Sequence, residues 1–199
     1  AAGLNTKQIT GYRAASIHTD HECVSAEEAI ERVSQGMYVL MREGSAAKNV
    51  RAILPAVTAQ NARRFTFCTD DKHLDEIIDE GTINASIKIA IESGMEPLQA
   101  IQIASLNAAE CYRLHNIGAL AAGFQADFVL LDDLEKMEIS AVWKRGVKVA
   151  ENKTMLTPAA TLTKVPTSIL QSVHLPKITA DDFKLPLSQS LVNIIEVIP

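Results

Sequence analysis

The sequence predicts an α/β fold built on parallel strands, and three observations carry that expectation. Short apolar runs alternate with helical patterns through residues 1–114, which is the signature of βα units. Three successive runs end in charged or imidazole-bearing residues, at Asp20-His21-Glu22, Arg42-Glu43 and Asp70-Asp71. Near residue 115 the alternation gives way to short β-type runs punctuated by Gly118, Gly123 and Gly146.

In chain order, residues 5–14 suit a short helix and residues 16–19 a short strand. Ser25 with Glu28 reads as a capping box. It opens a helix with Ala26, Ala29, Ile30 and Val33 on one face, and Gly36 closes it. Met37 to Met41 is a continuous apolar run, expected to be buried on both faces. A helix over residues 45–59 follows, kinked near Pro55. Phe65-Thr66-Phe67-Cys68 is the third strand, stopping at Thr69-Asp70-Asp71.

Beyond it, Ile83, Ile87, Ala90 and Ile91 mark a helix ended by Gly94. Pro97 opens another, running to about residue 105. Asn107 is placed to cap a third, over residues 108–113. Residues 126–132 form a strand, and Arg145-Gly146 joins two further strands in a hairpin. From Glu151 onward the prolines at 158, 166, 176 and 186 argue for an extended connector. The last stretch, Leu191 to Pro199, is a strand former. The domain expectation is therefore residues 1–114, 115–152 and 153–199. With no initiator Met and a strand former at its very end, the chain reads as a fragment of a larger protein.

Apolar residues make up 47% of the chain and charged residues 22%, so a packed core is expected. A net charge of -5 argues against nucleic acid or an anionic membrane surface as partner. No run of about 18 apolar residues occurs, so no spanning helix is expected. The three cysteines are scattered and offer neither a disulfide framework nor a CxxC zinc site. That fits a reducing, cytoplasmic setting. It also excludes the zinc nucleobase deaminases that use paired cysteines.

The strand ends are where chemistry is expected, because barrel active sites form at the C-terminal ends of strands. His21 stands between two carboxylates and is either a metal ligand or a surface histidine. Asp70 can ligate a divalent ion and accept a proton, or Asp70 and Asp71 can cap the next helix. Arg42, Glu43 and Ser45 can hold a polar planar substrate or sit in a solvated loop with Ser45 as an N-cap. His73 lies close behind Asp71. His18, His115 and His174 have no supporting context.

Three segments in this order, Thr19-Asp20-His21-Glu22-Cys23, Met41-Arg42-Glu43-Gly44-Ser45-Ala46 and Phe67-Cys68-Thr69-Asp70-Asp71, resemble the adenine deaminases of the amidohydrolase superfamily. So do residues 104–110 and the stretch over residues 118–131, the latter shared widely in that superfamily. The resemblance covers nearly all of residues 1–150. It implies the last βα units of a TIM-like metal-dependent hydrolase barrel followed by part of a small β-sandwich domain. It implies deamination of adenine to hypoxanthine and ammonia through metal-activated water. It places His21 as the metal ligand at the sixth strand end and Asp70 as ligand and proton shuttle at the eighth. Glu43, Ser45 and Arg42 become substrate contacts, with Asp71 and Glu22 supporting. The cofactor implied is a divalent, binuclear centre of Mn, Fe or Zn in the complete enzyme.

The superfamily's His-x-His pair, bridging acid and further His do not occur here, so the chain alone is expected to be inactive. Its open barrel edges should meet other copies or the missing N-terminal part. Two other readings stand beside this one: an amidohydrolase acting on a cyclic amide or a different amine, and a non-catalytic assembly module.

Overall fold

The computed structural model describes residues 2–157, 164–186, 188 and 191–194. The chain divides into two units, residues 1–158 and 159–199.

The first unit opens with helix α1 (Thr6–Ala14). Asn5 caps it by accepting from the Gln8 amide, and the Gln8 side chain answers to the Asn5 amide. Strand β1 is only Thr19–Asp20. Helix α2 (Ala26–Ser34) follows, with Ser25 accepting from the Glu28 amide as expected. The other half of the box is absent. The Glu28 carboxylate instead takes the amides of Val24 and Gly3, fastening the chain ahead of α1 to the start of α2.

The buried face of α2 is largely the expected one, with Ala29 buried and Ala26 and Val33 packed against the core, but it differs at two positions. Ile30 is 51% exposed, whereas Arg32 is fully buried. The cause is Asp20: the Arg32 Nε lies 3.1 Å from Asp20 Oδ2 with both side chains out of solvent. An apolar periodicity count has no place for an ion pair, so it put Ile30 on the buried face and left Arg32 off it.

Strands β2 (Tyr38–Arg42) and β3 (Phe65–Cys68) complete a three-stranded parallel sheet in the order β1-β2-β3. Val39, Leu40 and Met41 are all buried, the two-faced burial expected of a central parallel strand. Val39 and Met41 register with Phe65 and Phe67 and join these aromatics in the core.

The helix expected over residues 45–59 is much shorter. It is α3 (Val50–Ile53), continued by a 3-10 turn over Leu54–Ala56. Residues 45–49 stay outside the helix, with a bend at residues 45 and 46, because polar groups there bond across to the loop after β3, as described below.

Helices α4 (Leu74–Asp79), α5 (Ile83–Glu92), α6 (Pro97–Ala104) and α7 (Leu106–Cys111) follow. The buried Ile87, Ala90, Ala100 and Ile103 bring α5 and α6 into the same core as β2 and β3. Pro97 opens α6 as expected, and the Glu96 carboxylate caps it through the Gln99 amide. Asn107 does not cap α7. It lies inside the helix, buried, and its Nδ2 donates to Ala62 O at 2.8 Å and Phe65 O at 3.1 Å. A side-chain amide thereby replaces a missing strand partner where β3 begins.

A four-stranded antiparallel meander closes the unit: β4 (Phe128–Asp133), β5 (Glu138–Lys144), β6 (Val147–Glu151) and β7 (Thr154–Met155). The hairpin at Arg145-Gly146 is present, with both residues at positive φ, the geometry that suits strand twist. Asp127 fixes it, accepting from Lys144 Nζ and the Arg145 amide, and the Lys144 bond leads in holding its carboxyl down at about 2. Phe128 stacks on Trp143 at 4.7 Å between centroids.

In the second unit the described residues form one helical turn, α8 (Thr167–Leu170), and a 3-10 turn over Ala180–Phe183. Residues 191–194 carry no regular structure, and residues 195–199 of the expected final strand lie outside the described residues.

Replacing Asn107 by Ala should lower unfolding free energy by about 2 kcal/mol, since two carbonyls lose a buried donor. Urea unfolding followed by circular dichroism measures this; an unchanged midpoint would show that the tether contributes nothing.

Candidate metal centre

Because β1, β2 and β3 are parallel, their C-terminal ends fall on one edge. All three charged clusters expected from the sequence meet there. At the end of β1, Asp20 is buried, and its Oδ1 accepts the Glu22 amide at 2.9 Å. That local turn presents His21 and Glu22 outward. Burial alone would raise the Asp20 carboxyl, but the Glu22 amide and the Arg32 guanidinium help outweigh it and hold it below the usual carboxylate range.

His21, Glu22 and Asp70 each offer a donor atom, and these atoms all lie within 4.8 Å of one another. His21 Nε2 is 3.2 Å from Glu22 Oε1 and 4.0 Å from Asp70 Oδ2. The three side chains are roughly 40–46% exposed, open enough for a ligand to reach. Asp70 itself sits at φ 53°, a left-handed conformation that aspartate tolerates better than most residues. It turns the chain sharply at the end of β3.

The donor set is one imidazole and two carboxylates, which suits a divalent first-row ion. Cysteine takes no part. Cys68 ends β3, but burial first, then the nearby Asp70 charge, pushes its thiol up to about 11. A thiolate is needed for ligation. Cys23, beside Glu22, is buried and pushed up to about 12.

Arg42, the last residue of β2, reaches into this cluster. Its Nη1 donates to Glu22 Oε1 at 2.9 Å and to Asp70 Oδ2 at 2.8 Å. Burial works against its charge, but the bond to Asp70 and the attraction of Glu22 prevail. It is a fixed cation linking the ends of β1 and β3.

The other expected residues lie in a brace between the two loops. Asp71 Oδ2 accepts the Ala46 amide at 2.9 Å, and this bond leads in holding its carboxyl below the ordinary value. Ser45 Oγ accepts the His73 amide at 2.8 Å and bonds the Glu76 carboxylate. Neither Asp70 nor Asp71 caps α4; His73 stands at that position. Nor is Ser45 a helix cap, since α3 begins at Val50. Glu43 is buried, accepts the Val50 amide at 3.3 Å, and has its carboxyl raised by burial.

Two participants were not legible from spacing. Glu22 stands as a third donor rather than only a support, and the Asp20–Arg32 pair holds the turn that carries it. The adjacency of Glu22 to His21 was the available signal for the first. Nothing in the sequence pairs residue 20 with residue 32 until the strand and helix are packed.

A parallel α/β layer with an imidazole and two carboxylates on its C-terminal edge has the form of a barrel hydrolase site. Residues 2–149 match the Amidohydrolase family, and the chain belongs to it. More particularly, it is 60% identical over its whole length to an adenine deaminase of Lysinibacillus sphaericus and 46% identical to those of Geobacillus kaustophilus and Bacillus subtilis. It spans only 34–35% of those proteins. Among solved structures, a β-aspartyl dipeptidase of Fervidobacterium islandicum aligns with a TM-score of 0.54 at 20% identity, covering 67% of this chain and 38% of that one. A second amidohydrolase aligns with the same TM-score at 15% identity, over 76% of this chain and 44% of that one. These likenesses agree on the fold, a mixed α/β amidohydrolase architecture. Among the described residues, no helix is long and apolar enough to cross a membrane.

Two outcomes follow from this geometry. A Cβ on Gly44 would lie 1.7 Å from Asp71 Oδ1 and 2.8 Å from the Thr69 carbonyl. Gly44→Ala should therefore destabilise by about 1–3 kcal/mol through overpacking, read as a lowered urea midpoint. Asp20 is depressed in the folded state, so its contribution is present above about pH 4 and lost as pH falls through its lower folded value. The stability gap between the parent and Asp20→Asn should thus be wide at pH 7 and narrow in acid. A gap that does not depend on pH would contradict the ion pair.

Proposed function

We infer that this chain is the C-terminal part of a metal-dependent purine aminohydrolase that converts adenine to hypoxanthine and ammonia. The observation that carries this reading is the 60% identity to an adenine deaminase, sustained over the whole chain. The arrangement of His21, Glu22 and Asp70 supports it independently. In this reading residues 1–114 supply the last βα units of a TIM-like barrel. Residues 115–152 belong to a small β-sandwich, and residues 153–199 connect to a further β domain.

His21 and Asp70 hold a divalent ion (Mn, Fe or Zn), with Glu22 beside them as a third donor. A binuclear centre takes its remaining ligands from elsewhere in the longer protein. When bound, such a metal supplies an activated water for attack at C6 of adenine. Asp70 accepts and returns the proton. Its Oδ2 is engaged by Arg42, which leaves Oδ1 for that transfer. Arg42, Glu43 and Ser45 line the β2 edge as candidate purine contacts. Glu43, raised by burial, is suited to offer a proton to a ring nitrogen. Asp71 keeps the two loops in register. The exposed edges of the three-stranded sheet meet the rest of the barrel or another copy, in a cytoplasmic enzyme with no nucleic-acid partner.

The test uses the longer protein that contains this chain, with ammonia release from adenine as readout. Asp70→Asn should lower kcat by about 100-fold or more, the scale of a lost general base. His21→Ala should lower bound metal measured by elemental analysis. Adenine left unchanged by the parent protein would overturn the activity. Full metal content in the His21 variant would remove that residue from the ligand set.

A further inference from the structure

We propose that Arg42 is a built-in rival cation for the His21–Glu22–Asp70 cluster and sets how tightly that cluster takes a divalent metal. The inference rests on the metal-centre reading above and adds control of affinity to it.

The geometry is specific to single atoms. Arg42 Nη1 bonds Glu22 Oε1 and Asp70 Oδ2. Those two oxygens are also the carboxylate atoms nearest His21 Nε2. One guanidinium nitrogen and a metal ion therefore call on the same oxygens. The Arg42 side chain is only 11% exposed, so its charge is poorly screened by water.

A purely structural clamp would be expected to use the guanidinium fork, two parallel N–H bonds to one carboxylate. Arg42 does otherwise. One nitrogen serves both acids, and its buried Nε has no hydrogen-bond partner among the described residues. A single shared nitrogen neutralises two acids without the geometric lock of a fork. That is how a displaceable counter-charge is held.

The charges decide the direction of the effect. A metal bound to these oxygens at the usual distance of about 2 Å comes within a few ångströms of the guanidinium. Like charges that close repel strongly where water is sparse. Taking the positive charge away leaves two carboxylates facing each other beside an imidazole, a stronger cation trap. The contribution of Arg42 to orienting the carboxylates runs the opposite way, but a dication gathers its own ligands and makes that contribution the smaller one.

The test measures Mn2+ binding to the metal-free form of the longer protein that contains this chain, by the loss of the free-ion EPR signal, a readout that needs no turnover. Arg42→Met and Arg42→Gln should each bind Mn2+ about tenfold tighter or more than the parent. Arg42→Lys keeps the charge and should stay within about threefold of the parent. Using two neutral variants keeps the test standing if one misfolds. Equal or weaker binding by the neutral variants would overturn the rivalry and leave the metal centre intact. A lysine variant as tight as the methionine variant would overturn the charge-based account. No Mn2+ binding by the longer protein or by any of its three variants would overturn both the rivalry and the metal centre.

Discussion

A single buried carboxylate, Asp20, couples the helix layer of this chain to its functional edge. One oxygen meets Arg32 in α2, and the other meets the Glu22 amide just past β1. A strand of two residues has little ladder of its own to hold it. The ion pair supplies what pairing cannot, because a charge left alone in that environment is costly. It also shapes the turn on which His21 and Glu22 stand. The register of β1 on β2 and the direction of the site histidine therefore depend on the same side chain.

The far side of the site is held by a different device. β3 ends in a left-handed Asp70, and the chain leaves it against the loop after β2. Gly44 lets the two loops approach to contact, Asp71 takes the Ala46 amide, and Ser45 takes the His73 amide. The loop groups thus have partners without forming a helix, which explains why residues 45–49 stay non-helical. The Phe65–Cys68 strand is in turn fixed at its entry by Asn107. Each of the polar residues used in this way is a short one that satisfies a backbone group far away in the sequence.

These devices mark the boundary of what the sequence disclosed. The parallel strands, the hairpin at Arg145-Gly146 and the strand-end clusters were legible, since each depends on local periodicity or turn chemistry. The burial of Arg32 and Asn107 was not. Both are polar residues whose partners lie 12 and 42 or more positions away, and a pattern of apolar spacing treats them as surface. The length of the helix after β2 was misjudged for the same reason. Its propensity was read without the loop that competes for its first turn. For the candidate site, residue types at strand ends pointed to His21 and Asp70, which the fold does bring together, but only packing brought Glu22 and Arg42 onto them.

The resulting edge has a particular electrostatic character. Two carboxylates and an imidazole face one guanidinium, while burial raises the neighbouring thiols of Cys23 and Cys68. Among the described residues the donor atoms that come together are those of His21, Glu22 and Asp70, so the candidate set is nitrogen and oxygen. An all-thiolate site would close on the metal as structural zinc sites do. An open candidate set of three, drawn from two strand ends, would leave coordination positions for water and for further ligands. The burial that raises the thiols comes from the same packing that aligns the strands. The chemistry at this edge is therefore selected by the core beneath it as much as by the residues that line it.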